Sequence, residues 1–377
     1  QSGTYWYHSH SGLQEQLGHY GPIVIDPAGA DPIRSDREHV IVLSDHSQLH
    51  PHIIFRKLKL QGGYFNDNKQ TLASLLRGEG QSAQERREWG RMRMDPTDVS
   101  DVTGSTYSYL VNGHGPRDNW TALFTPGERV RLRFVNASAM TTFNVRIPGL
   151  KMTVVQADGL NVRPVAVDEF QMAVAETYDV IVEPADDRAY TLVGESVDRS
   201  GMARATLAPR AGMAAEVPPL RERPIATMKD MGMGDMEGNG AGQAMDYAAM
   251  GHDMSASAGM AAGGAMAGMD HSAKAHGAAG PMAGMDHGAG GHEMGEMAHS
   301  MRDLSVAPEV KDTPTVQTIS PMPMDRTGEP GQGLENVGHK VLTYRDLMAV
   351  ERNPDVRAPD RAMRIHLTGN MERYMWA

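Results

Sequence analysis

Thr4-Tyr5-Trp6-Tyr7-His8-Ser9-His10-Ser11-Gly12-Leu13, followed by Gly21-Pro22-Ile23-Val24-Ile25-Asp26-Pro27, is the stretch on which the reading of this chain turns. Two histidines one residue apart, preceded by alternating aromatics and followed by an apolar run that closes on Asp-Pro, describe a strand ending at a turn. Side chains at i and i+2 of a strand point the same way, so His8 and His10 can share a face with Tyr7 and Ser9 opposite. Neutral imidazole serves copper, iron, zinc and nickel alike, so the pair alone names no metal. His19, beyond Gly18, reads as a polar loop residue.

With 377 residues the chain is long enough for two or three domains with ordinary cores. A charged content of 22% describes a soluble protein, and no apolar run reaches the roughly 18 residues of a membrane span. The formal charge of -11 argues against a nucleic-acid partner. Cysteine is absent, which removes disulfides, thiolate chemistry and any copper site needing a Cys ligand. The chain opens on Gln1-Ser2-Gly3 with no signal-peptide pattern and stops on strand-like sequence, so both ends are expected to be cut.

From Arg37 to about Ala215 the pattern is that of a β domain with helical inserts. His39-Val40-Ile41-Val42-Leu43-Ser44-Asp45 suits a buried strand, while Leu72, Leu75 and Leu76 sit at helical spacing and residues 84–89 read as an exposed helix. Asn112-Gly113, Pro126-Gly127 and Pro148-Gly149 mark turns. In the strand at 130–136, Val130, Leu132 and Phe134 alternate with Arg131 and Arg133, which predicts one core face and one wet face. Arg131, Arg133, Asp158 and Glu169 accordingly read as solvated faces or turns. Further short strands around Phe143, Met152, Tyr178 and Tyr190 complete the pattern of a Greek-key sandwich.

Between residues 228 and 303 there is no Val, Ile, Leu, Phe or Trp, so ordering this segment cannot be offset by apolar burial, and it is expected to be disordered. It nevertheless holds 15 of the 28 methionines and six of the 16 histidines, with three basic side chains against ten acidic ones. Met-Ala-Gly-Met-Asp-His occurs twice, at 266–271 and 282–287. Thioether sulfur selects Cu(I), whereas imidazole and carboxylate suit Cu(II). Met266, Met269, His271, Met282, Met285 and His287 are therefore candidate copper ligands, and a low-complexity spacer is the bland alternative.

Gly3-Thr4-Tyr5-Trp6-Tyr7-His8-Ser9-His10-Ser11-Gly12 resembles the second of four copper-ligand motifs in multicopper oxidases. The continuation Leu13-Gln14-Glu15-Gln16-Leu17-Gly18-His19-Tyr20-Gly21-Pro22 is similar to the copper-resistance protein A family of bacterial periplasmic oxidases, and the strands from Leu132 to Val182 resemble that family's second cupredoxin domain. The resemblance implies an all-β fold of cupredoxin-like Greek-key β-sandwich domains carrying a disordered Met/His-rich insertion. It divides the chain into the end of a first cupredoxin domain (1–30), a second (31–215), a flexible Met/His-rich copper-binding linker (216–303) and the start of a third (304–377).

The resemblance further implies that His8 and His10 each bind one copper of the dinuclear pair within a trinuclear cluster. Copper (Cu2+/Cu+) is then the cofactor, copper ions and dioxygen the partners, and the periplasm the compartment. The family's activity is oxidation of Cu(I) or phenols with reduction of dioxygen to water. Its other three motifs, His-Trp-His, His-Pro-x-His-Leu-His and His-Cys-His, are missing here, so the chain as it stands is expected not to turn over. Two other classes stay open: a copper-sequestering protein without redox cycle, acting through the Met/His repeat, and a cupredoxin like the copper nitrite reductases, which again needs a Cys.

Overall fold

The opening motif forms β1 (Gly3–His8), which pairs antiparallel with β2 (Tyr20–Ile25) so that His8 lies opposite Tyr20. The following strand, β3 (Arg37–His46), enters the larger of two facing sheets. The structure, a computed structural model, describes residues 1–91, 94–231, 304–305, 307–314, 316, 319, 324–363, 369–370 and 375–376, all of which belong to one unit. The remaining segments, including the Met/His-rich repeats, lie outside the described residues.

Among the described residues, three α-helices and a short 3-10 turn at Gly62–Tyr64 separate β3 from β4 (Ser108–Val111). The first, α1 (Pro51–Leu60), starts where His50 accepts the His52 backbone N–H and Pro51 supplies a preset φ, and it buries Ile54 and Leu58 on one face. The expected helical spacing at Leu72, Leu75 and Leu76 appears as α2 (Leu72–Leu76), and the helix after it as α3 (Ala83–Arg91), which is not exposed throughout because Trp89 is buried. At Asn112 and Gly113 both φ angles are positive, as a tight primed turn requires. The Asn112 side chain reaches across to the Val42 N–H and the Val40 carbonyl, so this turn also fastens the edge of β3.

The rest of the chain alternates between sheets. β5 (Thr121–Leu123), β6 (Val130–Asn136), β7 (Phe143–Arg146), β8 (Met152–Ala157) and β9 (Leu160–Val167) are followed by β10 (Glu169–Met172), β11 (Thr177–Val182), β12 (Tyr190–Ser196) and β13 (Met202–Ala208). One sheet runs β4-β3-β6-β11-β8-β9 and the other β10-β7-β12-β13-β5. Most neighbours are antiparallel, while β3 with β6 and β13 with β5 are parallel. Between the sheets lies one core, in which Phe134 meets Phe170 edge-on at 5.5 Å and Tyr109 meets Phe143 at 5.6 Å. The all-β sandwich expected from the alternation is the observed architecture.

The expected wet face of β6 is not wet. All seven of its residues are buried, Arg131 at 1% exposure and Arg133 at 3%. The reason is a second layer: the β1–β2 hairpin and Asp31 meet the outer face of the six-stranded sheet, while Glu38 reaches across from the neighbouring β3. Arg131 Nε donates to Asp179 at 2.8 Å and its Nη1 to Asp31 at 2.8 Å. Arg133 donates to Asp179, to Glu38 and to the Thr4 hydroxyl. Two charged side chains that alternation assigned to solvent are thus a buried, multiply bonded cluster holding β1 to the sheet.

Glu169 is corrected in the same way. It is fully buried and accepts Arg221 Nη1 at 3.0 Å and pairs with His339 Nε2 at 2.7 Å. Glu195, equally buried, accepts Arg146 and Arg221. These carboxylates anchor the chain that leaves β13 and the returning segment around Val341, which bridges to Glu169. Asp158, by contrast, is an exposed turn residue with φ 46, as read from the sequence.

Candidate metal centre at the end of β1

Within the hairpin, Thr4 and Trp6 occupy the face that meets the sandwich. The Thr4 N–H donates to Gln156 Oε1 at 2.9 Å and its carbonyl accepts the Thr177 hydroxyl at 3.0 Å. Trp6 packs with Tyr20 and Val40 on Val42, Val135 and Ala137, and its indole N–H donates to the Ala175 carbonyl at 3.2 Å. Two residues on in the same alternation, the His8 ring stacks on Trp6 at a centroid distance of 4.2 Å and an interplanar angle of 16°. A large rigid indole, itself fixed at both its apolar body and its N–H, therefore sets the plane of the imidazole.

His10 stands just past the strand end, exposed, with its ring centroid 4.4 Å from that of His8 and tilted by 40°. The two imidazoles lie side by side, although β1 ends at His8 and His10 stands beyond it. His19 is exposed, and its carbonyl accepts the Ser9 N–H at 3.1 Å, which closes the base of the loop 9–19. Ser9 Oγ donates to Gln14 at 2.7 Å.

Three residues at the site escaped the reading of the sequence. Glu15 places Oε1 3.6 Å from His8 Nδ1. Gln16 donates to the carbonyl and carboxylate of Asp45 and accepts the Tyr107 hydroxyl at 2.7 Å. Asp45, at 4% exposure, also accepts the N–H groups of Ala139, Met140 and Thr141 and the Thr141 hydroxyl. The loop beneath the histidines is thereby bolted to the sandwich. Glu15 and Gln16, inside the continuation of the motif, offered a signal by position; Asp45 and Tyr107 come from 29 and 91 residues away from Gln16.

Burial pushes the Glu15 carboxyl above the usual carboxylate range, with Asp45 adding to the shift and His8 and His10 opposing it. Burial likewise raises the Tyr20 phenol. His8 Nδ1 is itself buried and has no hydrogen-bond partner. Among the described residues no group of three or more His, Asp or Glu side chains could hold a metal ion, so the pair is a partial donor set. It does fit copper: two imidazoles, one held by stacking, the other open to solvent. Met266, Met269, His271, Met282, Met285 and His287 lie outside the described residues. No helix among the described residues is long and apolar enough to cross a membrane.

Comparison with known proteins converges on this motif. A multicopper oxidase family model matches residues 66–212, and a second multicopper oxidase model matches residues 1–30, which contain both histidines. Copper resistance protein A of Escherichia coli is 50% identical over 382 aligned residues, covering 100% of this chain and 62% of that protein. A copper resistance protein A homolog of Pseudomonas syringae pv. tomato is 47% identical, covering 100% of this chain and 60% of its own length. A multicopper oxidase of Mycobacterium tuberculosis is 33% identical over 56% of this chain and 39% of its own. The chain spans about three fifths of the length of the two copper resistance proteins. With both histidines inside a matched region and half of all residues shared along its full extent, the chain is a homologue of copper resistance protein A and carries two multicopper oxidase domain matches.

Proposed function

We propose that the intact protein is a periplasmic copper oxidase of copper resistance, which oxidises Cu(I) or phenolic substrates and passes the electrons to dioxygen, giving water. The observation that carries this reading is the His8–His10 pair, two imidazoles 4.4 Å apart at the end of one strand. His8 and His10 hold copper of a shared multi-ion centre whose other donors come from outside the described residues. Bound copper supplies the one-electron steps that neither a carboxylate nor an imidazole can perform.

The chain's own residues prepare the place. Trp6 fixes the plane of His8, Ser9 and His19 close the loop, and Gln16 with Asp45 prevents that loop from lifting off the sandwich. In this reading residues 1–30 end one cupredoxin domain, 31–215 form the second, and 304–377 begin a third. Met266, Met269, His271, Met282, Met285 and His287, in the segment 216–303, collect copper for the oxidase, their soft sulfurs taking Cu(I).

The test is His8→Ala and His10→Ala in the full-length, copper-loaded protein. Each is expected to lose bound copper and to abolish oxidation of Cu(I) and of phenols. Unchanged copper content and activity in both would remove the assignment.

A further inference from the structure

We propose that Glu15 is the positioning carboxylate of His8: it accepts a hydrogen bond from the ring's Nδ1–H, so that His8 presents Nε2 to copper. This rests on the ligand role just given to His8.

Four observations carry it. His8 Nδ1 is buried without a hydrogen-bond partner, a condition that a ring nitrogen bearing hydrogen rarely keeps. The charged group facing it is Glu15 Oε1 at 3.6 Å, a few tenths of an ångström beyond hydrogen-bond length. The Trp6 stack fixes the plane of the ring, and in that plane Nδ1 faces Glu15. Finally, the backbone of Glu15 is held in place from both sides, through Gln14 on Ser9 and through Gln16 on Asp45 and Tyr107, so the carboxylate stands where the ring needs it before any metal arrives.

Metal ligation through one nitrogen of an imidazole acidifies the N–H of the other, and a carboxylate that accepts this N–H fixes the tautomer and raises the basicity of the ligating atom. The negative charge of Glu15 also offsets the charge brought by copper in a partly desolvated place. Closing the 3.6 Å gap between Nδ1 and Oε1 to hydrogen-bond length asks for a movement of only a few tenths of an ångström. His10 is exposed, so the supported member of the pair is His8.

The experiment compares Glu15→Ala, Glu15→Gln, Glu15→Asp and His8→Ala in the full-length protein, with two readouts other than turnover. The first is the rate at which a competing chelator removes copper. The second is the 15N NMR shift pattern of the His8 ring in the metal-free form, which reports the tautomer and which a purely structural role would not move.

Glu15→Ala is expected to accelerate copper loss on the order of 10–100-fold and to shift the His8 ring away from the Nδ1–H tautomer. Glu15→Gln, which still offers an acceptor oxygen, should fall between, and Glu15→Asp should recover part of the loss. If His8→Ala loses copper while Glu15→Ala keeps parental copper retention and tautomer, the positioning role is overturned and the ligand reading survives. If His8→Ala also retains its copper, both are overturned.

Discussion

Arg133 and Asp179 stand directly opposite one another on β6 and β11, with Nη1 2.8 Å from Oδ2, and both are almost wholly removed from solvent. The same carboxylate oxygen accepts Arg131 Nε, so one anion bridges two buried guanidiniums, which Asp31 and Glu38 pair from their other sides. Removing it leaves both guanidiniums buried with one carboxylate partner fewer. Asp179→Ala is expected to destabilise the protein by about 3 kcal/mol, because breaking a buried charge pair costs more than the pair contributes. Equilibrium urea unfolding monitored by tryptophan fluorescence measures it, and a midpoint equal to the parent's would show the cluster to be dispensable.

Gly159 sets how closely the hairpin seats. Its φ is +75°, and a Cβ there would come to 2.5 Å from Cε1 and Cζ of Tyr5, while a Cβ on Gly3 would meet the Gly159 backbone at 2.8 Å. Gly159→Ala therefore combines a strained backbone with a clash, for a cost of about 1–3 kcal/mol. Lifting β1 should also expose the loop 9–19, so limited proteolysis within it is expected to quicken. Equal cleavage rates would show that Tyr5 can move aside freely.

Asp98 gives the fold a pH dependence. Burial, reinforced by Asp101 and Asp95 and opposed by Lys69, pushes its carboxyl up to about 6. The folded state then binds this proton more tightly than the unfolded chain does. Its contribution to stability is greatest at acid pH, falls as pH rises from the ordinary carboxylate range through about 6, and is flat above. Asp98→Asn removes the ionisation and is expected to be more stable than the parent by about 1–2 kcal/mol at pH 7.5. Thermal melts from pH 4 to 8 should show the two curves meeting at the acid end; a variant less stable at pH 7.5 would mean that the Lys69 attraction outweighs burial.

Excising residues 237–298 spares Asp230 and Lys229, whose ion pairs with Arg326 and Glu329 join the two flanks of the segment. The shortened protein is expected to bind fewer copper ions while keeping the melting temperature of the metal-free parent. Inductively coupled plasma analysis and calorimetry decide this, and undiminished copper binding would show that the Met/His repeats are a spacer.

Composition and pattern were enough for much of this. Alternation at β6, β7, β8, β11 and β12 reads as strands, the Asn112-Gly113 turn reads as a turn, and the His-Ser-His spacing predicts two imidazoles side by side. These signals are local, because strand alternation and turn φ values are decided within a few residues of chain.

What the pattern could not tell was which faces are covered. Val130, Leu132 and Phe134 with Arg131 and Arg133 between them is the same alternation whether the arginines meet water or a second layer. The outcome depends on Asp179, Glu38, Asp31 and Thr4, residues from 46 to 129 positions away from their arginine partners. The sequence by itself determined the β-sandwich and the paired histidines. Only the tertiary structure decided that Glu15 faces His8, that Asp45 clamps their loop and that charges line a buried layer, since desolvation and ion pairing are set by what packs on a face and not by the order of residues within it.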